Sequence, residues 1–284
     1  GLMYVMLLIG SIAAAFGFGW ALEDFSQGRL IQVIQGCAVI TVVLNFIALW
    51  KQEVRKPPHL REGPPPVQPT FKESWAVFIT QANAKRRLLA VALGTLGFAM
   101  SDILLEPYGG EVLGLDVGNT TMLTALLAGG SLAGFAYASY ILSLGADPFR
   151  MARLGALIGL PAFGLIILAA ASDAPSIFTL GVLLAGLGSG LFGHGTLTAT
   201  MLLAPRDKVG MAMGAWGAVQ ATAQGVGAAA GGIIRDLAQG REINLGVPMA
   251  ANGYVMVYWL ELALLAATII AMLPLAKQTR AAAA

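Results

Sequence analysis

Charge is the scarcest thing in this sequence. Only 11% of the 284 residues are Asp, Glu, Lys or Arg, and 57% are hydrophobic. A soluble domain carries about 25% charged residues, so the chain cannot cover a water-facing surface of its own size. That excludes an ordinary soluble enzyme, a nucleic-acid-binding domain and a disordered chain. Cysteine is nearly absent too: Cys37 is single, so no internal disulfide can form. There are two histidines, His59 and His194, and no cluster with metal-ligand spacing. No nucleophile–base arrangement and no phosphate loop is visible, so no catalytic residue is assigned and the chain is not expected to be an enzyme. A basic leader is missing as well. Gly1 opens directly inside an apolar run, and the expectation is a chain that begins partway through a longer protein.

What the sequence has in abundance is long apolar runs, with a mean hydropathy of +0.75. A bilayer-spanning helix needs about 20 mostly apolar residues. Eight runs qualify: Leu2–Ala21, Leu30–Trp50, Leu88–Leu105, Thr120–Leu142, Met151–Ala171, Ile177–Met201, Gly210–Ile234 and Tyr254–Leu275. They are continuously apolar rather than alternating, which predicts an all-α polytopic membrane protein and not a barrel. Of the 17 basic residues, only Arg29, Arg235 and Arg241 fall on one side of the predicted bilayer. The rest share the opposite side, so the 51–87 segment and the C-terminus are expected to be cytoplasmic.

Segment 51–87 is the one long connection. Pro57, Pro58, Pro64, Pro65, Pro66 and Pro69 make its first part a semi-rigid linker, in which His59 is expected to be solvated. Phe71–Ala84 then carries Phe71, Trp75, Phe78 and Ile79 at helical spacing, as in a short amphipathic helix on the membrane surface. Lys85-Arg86-Arg87 closes it, a cluster suited to phospholipid headgroups. Three units result: 1–50 as two helices of an N-terminal bundle, 51–87 as the linker, and 88–284 as a six-helix bundle.

Residues with chemistry to offer inside the spans are few. They are Asp102, Glu106, Glu261 and His194, with Asp102 and Glu261 expected to be buried acids. Intramembrane ionisable groups are costly and are functional candidates by default. No Lys or Arg lies centrally in a span, which disfavours organic-anion transport. Gly130 and Gly134, Gly155 and Gly159, Gly186 and Gly190, Gly210 and Gly214, and Gly227 and Gly231 are each four apart. Such spacing lets helix backbones approach closely. The alternative is a flat wall on which a planar macrocycle rests at Gly190 and Gly193, with His194 as axial ligand to a central metal. The plainer use of His194 is a hydrogen bond to a neighbouring carbonyl or hydroxyl.

Leu104-Leu105-Glu106-Pro107-Tyr108-Gly109-Gly110-Glu111-Val112-Leu113-Gly114 is the most distinctive string. Pro107 is expected to stop the third span and Gly109-Gly110 to permit a sharp reversal. Glu106 would then sit at a helix C-terminus, where an anion is disfavoured. Gly145-Ala146-Asp147-Pro148-Phe149-Arg150, with Arg153 after it, reads as a cytoplasmic turn that resembles a Gly-x-x-x-Asp-x-x-x-x-Arg element with shifted spacing, Asp147 lying two residues after Gly145 and six before Arg153. Gly190-Leu191-Phe192-Gly193-His194-Gly195-Thr196-Leu197-Thr198 is a third distinctive stretch, and Gly214–Ala221 a fourth.

These stretches resemble the PucC/LhaA family, also called the bacteriochlorophyll delivery family, within the major facilitator superfamily. The resemblance covers essentially the whole chain. It implies a major facilitator fold of which about four N-terminal spans are missing here. It also implies a role in assembling photosynthetic antennae in the intracytoplasmic inner membrane of a purple bacterium. The implied cofactor is bacteriochlorophyll. The implied partners are the α and β polypeptides of light-harvesting complex 1 or 2, with the reaction centre and bacteriochlorophyll synthase beside them. The family motif lands on Glu106, Pro107, Tyr108, Gly109, Gly110 and Glu111, which become candidate partner contacts. Two other functions stay open: a proton-coupled transporter of a small hydrophobic molecule, and a pigment-free scaffold for antenna subunits.

Overall fold

In the computed structural model the described residues are 2–21, 26–50, 70–80, 83–172, 174–205, 208–239, 241 and 247–275. The Pro-rich stretch with His59, and Lys277 and Arg280 of the tail, lie outside them. Every regular element among the described residues is helical. In order these are α1 (Leu2–Ala21), α2 (Gln27–Leu49), α3 (Phe71–Ile79), α4 (Ala84–Ala99), α5 (Leu105–Glu111), α6 (Val117–Ser143), α7 (Pro148–Ser172), α8 (Pro175–Leu203), α9 (Val209–Ala238) and α10 (Asn252–Met272). Five of them, α2, α6, α7, α8 and α10, are long and apolar enough to cross a membrane. α4 has only 16 residues, and the 30-residue α9 is diluted by glycine, Gln220 and Gln224.

Helix α8 is the centre of the bundle, packed along α6 on one side and α7 on the other. Glycine sets that geometry. Added Cβ atoms at Gly130 and Gly134 of α6 would strike the Leu183 and Leu187 carbonyls of α8, and those at Gly186 and Gly190 would strike the Leu127 and Ser131 carbonyls of α6. On the other face, Gly155 of α7 and Gly188 of α8 meet reciprocally, each added Cβ lying 2.5–2.7 Å from the other's carbonyl oxygen. Small residues thus bring backbones into direct contact, where dispersion and carbonyl contacts replace the hydrophobic drive that lipid cannot supply. The close-packing use expected for these pairs is the observed one. Gly210 and Gly214 are the exception, with nothing within 4 Å.

Several local expectations fall differently. The amphipathic helix α3 starts with a capping box, Thr70 with Glu73. Part of its apolar face packs on the bundle: Phe78 is buried with Ala212 and Ala215 of α9, and Trp75 and Leu88 pack beside it. The basic cluster has a structural member as well, since Arg86 Nε donates to the Ala271 carbonyl (2.8 Å) at the end of α10. In the turn before α7, Gly145 takes φ +88°, which glycine adopts without a Cβ penalty. Asp147 Oδ1 accepts from the Phe149 N–H at 2.8 Å and, more weakly, from Arg150 N–H. Asp147 therefore caps α7, with Pro148 as its first residue. Arg150 is exposed and Arg153 half-buried.

The hallmark string departs most. α4 ends at Ala99, and Met100–Leu104 form an irregular elbow before α5. Pro107 lies in the first turn of α5, where its missing N–H costs nothing, so it opens a helix rather than stopping one. Gly109 and Gly110 are helical. The reversal falls at Gly114, whose φ is +63°. Glu106 accordingly sits in a first helical turn, the end that favours an anion. α1 packs against α6, whereas α2 buries no residue.

Candidate functional site

A cavity of about 370 Å³ opens between α1, α4, α6, α8 and α9. Its apolar walls come from Phe98, Leu127, Phe135 and Phe192. Its polar lining is Ser11 from α1, Thr95, Ser101 and Asp102 from α4 and the elbow, Thr124 and Ser131 from α6, Ser189 and His194 from α8, and Gln220 and Gln224 from α9. Among the described residues no Lys or Arg lines it.

Helix periodicity places these groups. Thr124 and Ser131, seven apart on α6, share one face, as do Gln220 and Gln224 on α9. Ser131 and Ser189 hydroxyls satisfy each other across α6 and α8 at 3.1 Å. The sequence suggested a buried acid at Asp102, but the residue is exposed; the elbow turns it to the open cavity, where Gln224 Nε2 approaches at 3.5 Å. That separation is at the outer limit of a hydrogen bond. Along α8, Ala185 and His194 both line the cavity nine residues apart, so it extends at least ~13 Å along the bundle at 1.5 Å per residue.

His194 is 8% exposed, and its Nδ1 is buried without a hydrogen-bond partner. The expected hydrogen bond to a local carbonyl or hydroxyl is therefore not made at Nδ1. The Phe135 ring lies beside the imidazole, centroids 4.2 Å apart. Gly193 is open, with nothing within 4 Å, whereas Gly190 is consumed by the α6 contact. Of the three residues proposed for a flat wall, Gly193 leaves open space, His194 lines the cavity but is almost fully buried, and Gly190 serves packing.

The family-motif residues split in the same way. Tyr108 is fully buried. Its hydroxyl donates to the Ile166 carbonyl of α7 at 2.9 Å. Its ring packs against Phe178, Tyr254 and Tyr258 at 5.1–5.4 Å between centroids. A Cβ at Gly109 would lie 3.0 Å from Leu123 Cδ1 and 3.1 Å from Leu115 Cδ1, so a side chain fits only if both leucines give way. Glu111 is held internally: its Oε2 accepts from the Tyr254 hydroxyl at 2.6 Å and from Arg235 Nη2 at 2.5 Å. Arg235 also lies over the Tyr254 ring, 4.7 Å from its centroid. The Tyr254 hydroxyl, with the Arg235 guanidinium beside it, holds the Glu111 carboxyl below the usual glutamate range. Glu106 accepts from the Thr124 hydroxyl across to α6. Glu106, Pro107 and Glu111 are exposed and Gly110 is half-buried, so these four motif positions can still make contacts outside the bundle, Glu111 with its Oε2 already engaged.

Glu261 is fully buried in the middle of α10. Its Oε1 accepts the Ser101 backbone N–H at 2.7 Å, and Oε2 has no partner. The sequence reading missed the Arg235–Tyr254 clasp, because Arg235 reads as one more outer-side cation. It also missed Gln220 and Gln224. Two amides four residues apart in an apolar run were the available signal.

The described residues define an α-helical protein with several membrane-crossing helices around a polar-studded cavity. Residues 1–280 match the family described as PUCC protein, and the chain belongs to that family. It is 50% identical over 282 residues to Protein PucC of Cereibacter sphaeroides, covering 99% of this chain and 61% of that one. It is 55% identical over 239 residues to Protein PucC of Rhodovulum sulfidophilum, covering 83% and 52%. A more distant relative, 29% identical over 244 residues, is the bacteriochlorophyll synthase 44.5 kDa chain of Rhodobacter capsulatus, covering 82% and 55%. The chain thus spans between about half and three-fifths of the length of these relatives.

Proposed function

We propose that this chain is the larger part of a photosynthetic antenna assembly protein of a purple bacterium. In this reading it delivers bacteriochlorophyll to the α and β polypeptides of light-harvesting complex 1 or 2, or chaperones their assembly around the reaction centre. The eight long helices α1, α2, α4 and α6–α10 are its membrane spans. The last six form one half of a major facilitator fold, and α1 and α2 belong to the other half, whose remaining spans lie in the longer relatives. The 51–87 segment and the C-terminus face the cytoplasm of the intracytoplasmic membrane.

Membership of the PucC family carries the reading. The name of the 29%-identical relative adds a link to bacteriochlorophyll. The cavity supports it independently, with aromatic walls, no Lys or Arg among the described residues and a buried imidazole nitrogen that lacks a partner. Polar groups buried without partners are rare and mark places where a ligand or water belongs. A bacteriochlorophyll would bring a magnesium centre, for which a neutral imidazole is a suitable donor. His194 would hold it, with Gly193 leaving space beside the ring. A histidine that ligates a metal through one nitrogen ordinarily donates the other N–H to an acceptor, and Nδ1 lacks one. Nδ1 is enclosed by protein atoms in this structure, so ligation of a metal through it would need the packing around the ring to open.

A second reading, proton-coupled transport of a small hydrophobic molecule, draws on Asp102 at the cavity wall. The absorption spectrum of protein purified from pigmented membranes separates the readings. Near-infrared-absorbing pigment at a fixed ratio to protein supports delivery. Colourless protein that retains antenna polypeptides supports a pigment-free scaffold. Substrate-stimulated proton uptake in liposomes, with neither pigment nor polypeptide retained, supports transport.

A further inference from the structure

We infer that Glu261 is a positioning residue for the cavity: it holds the elbow at Met100–Leu104 in the shape that presents Ser101 and Asp102 to a ligand. This rests on the reading that the cavity holds one.

The elbow is an unusual object. A helix that ends inside a bundle leaves backbone groups without ladder partners, and in a membrane each must be satisfied by the protein. If α4 continued, the Ser101 N–H would bond the Gly97 carbonyl, four residues back. Instead it donates to Glu261 Oε1 at 2.7 Å, from a side chain 160 residues away in sequence. On the flank, Gly231 of α9 lets the Met100 carbonyl come so close that any Cβ there would collide with it. The elbow is therefore gripped by α10 and approached by α9. Its other side is the cavity wall, where Ser101 and Asp102 both appear.

Glu261 itself does not line the cavity. A fully buried carboxyl is an expensive way to accept one hydrogen bond, and its second oxygen has no partner. A role confined to packing would be met better by leucine. What leucine cannot do is compete with the Gly97 carbonyl for the Ser101 N–H. Without an acceptor at 261, that N–H is free to return to the ladder. α4 then extends through the elbow and rotates position 102 by about 100° per added residue, away from the cavity. Only acceptance of the N–H is required, so a neutral amide serves as well as a carboxyl.

The test uses Asp102→Cys in a Cys37→Ser background, with the thiol at position 102 read by its rate of labelling with a water-soluble methanethiosulfonate. Glu261→Gln is expected to leave the rate within a factor of two of the parent. Glu261→Leu is expected to lower it several-fold while the protein stays monodisperse with a cooperative thermal transition; Glu261→Met replaces it if the Leu variant does not fold. Retention of added bacteriochlorophyll, measured with Asp102 intact, should follow the same order. Labelling of the Leu or Met variant at the parent rate overturns the inference, because the elbow then needs no acceptor. A Gln variant as slow as Leu overturns it too, because ionisation and not acceptance then matters. If the parent retains no bacteriochlorophyll, the pigment reading fails while the labelling rates still decide the role of Glu261.

Discussion

Residues of the same motif do different work. Tyr108 and Glu111 were candidate partner contacts; Tyr108 is spent inside the bundle, and Glu111 is tied to Tyr254 and Arg235 at its edge. Tyr108→Phe should cost ~0.5–1.5 kcal/mol of stability, the ordinary value of one hydrogen bond, seen as a lower unfolding temperature with the fold intact. Glu111 makes a pH prediction. Its carboxyl is lowered in the fold, so the clasp contributes stability above the unfolded value near ~4.3 and loses it as pH falls through the folded value. The melting-temperature gap between the protein and Glu111→Gln should be widest near neutral pH and should close in acid. Glu111 is half-exposed, so the gap is expected to be modest. His194 stands apart because its Nδ1 has no partner. His194→Phe should lower bound pigment without lowering the unfolding temperature; unchanged pigment content would reject ligation at that residue.

Elements were the most legible level of the sequence. Each of the eight apolar runs overlaps a helix, five of them long and apolar enough to cross a membrane, because hydropathy over twenty residues is a summed signal that no single contact reverses. The glycine pairs were equally readable, since four-residue spacing puts two glycines on one face of a helix. Gly134→Leu should therefore destabilise strongly, with overpacking costing ~1–3 kcal/mol or more against a backbone carbonyl. Gly214→Ala meets nothing within 4 Å and should be neutral or stabilising. Thermal unfolding in detergent checks both. The elbow was not legible. Leu88–Leu105 reads as one apolar run, and what breaks it is a carboxyl that arrives from α10, far along the chain. Pro107 and Gly109-Gly110 were misread for a related reason. Their local preferences allow a helix start as well as a stop, and burial of Tyr108 among α7, α8 and α10 side chains decides it.

For the whole molecule, composition alone led to a membrane-embedded helical chain, and the string at 104–114 led to the family. The cavity could not be read the same way. It is assembled from five helices, and its members Thr95, Ser131, Ser189, Gln220 and Gln224 are individually unremarkable polar residues in apolar runs. Only the fold reveals that they face one space with Asp102 and His194. That space also explains how Asp102 is accommodated with no ion pair among the described residues: it borders the cavity, whereas the buried Glu261 accepts the Ser101 N–H. The most direct test of the account is to purify the protein from pigmented membranes under mild detergent and record its near-infrared spectrum and its co-purifying polypeptides together. The account predicts bacteriochlorophyll and antenna α or β polypeptides with the unaltered protein, and reduced pigment with His194→Phe. A colourless preparation free of antenna polypeptides would contradict it.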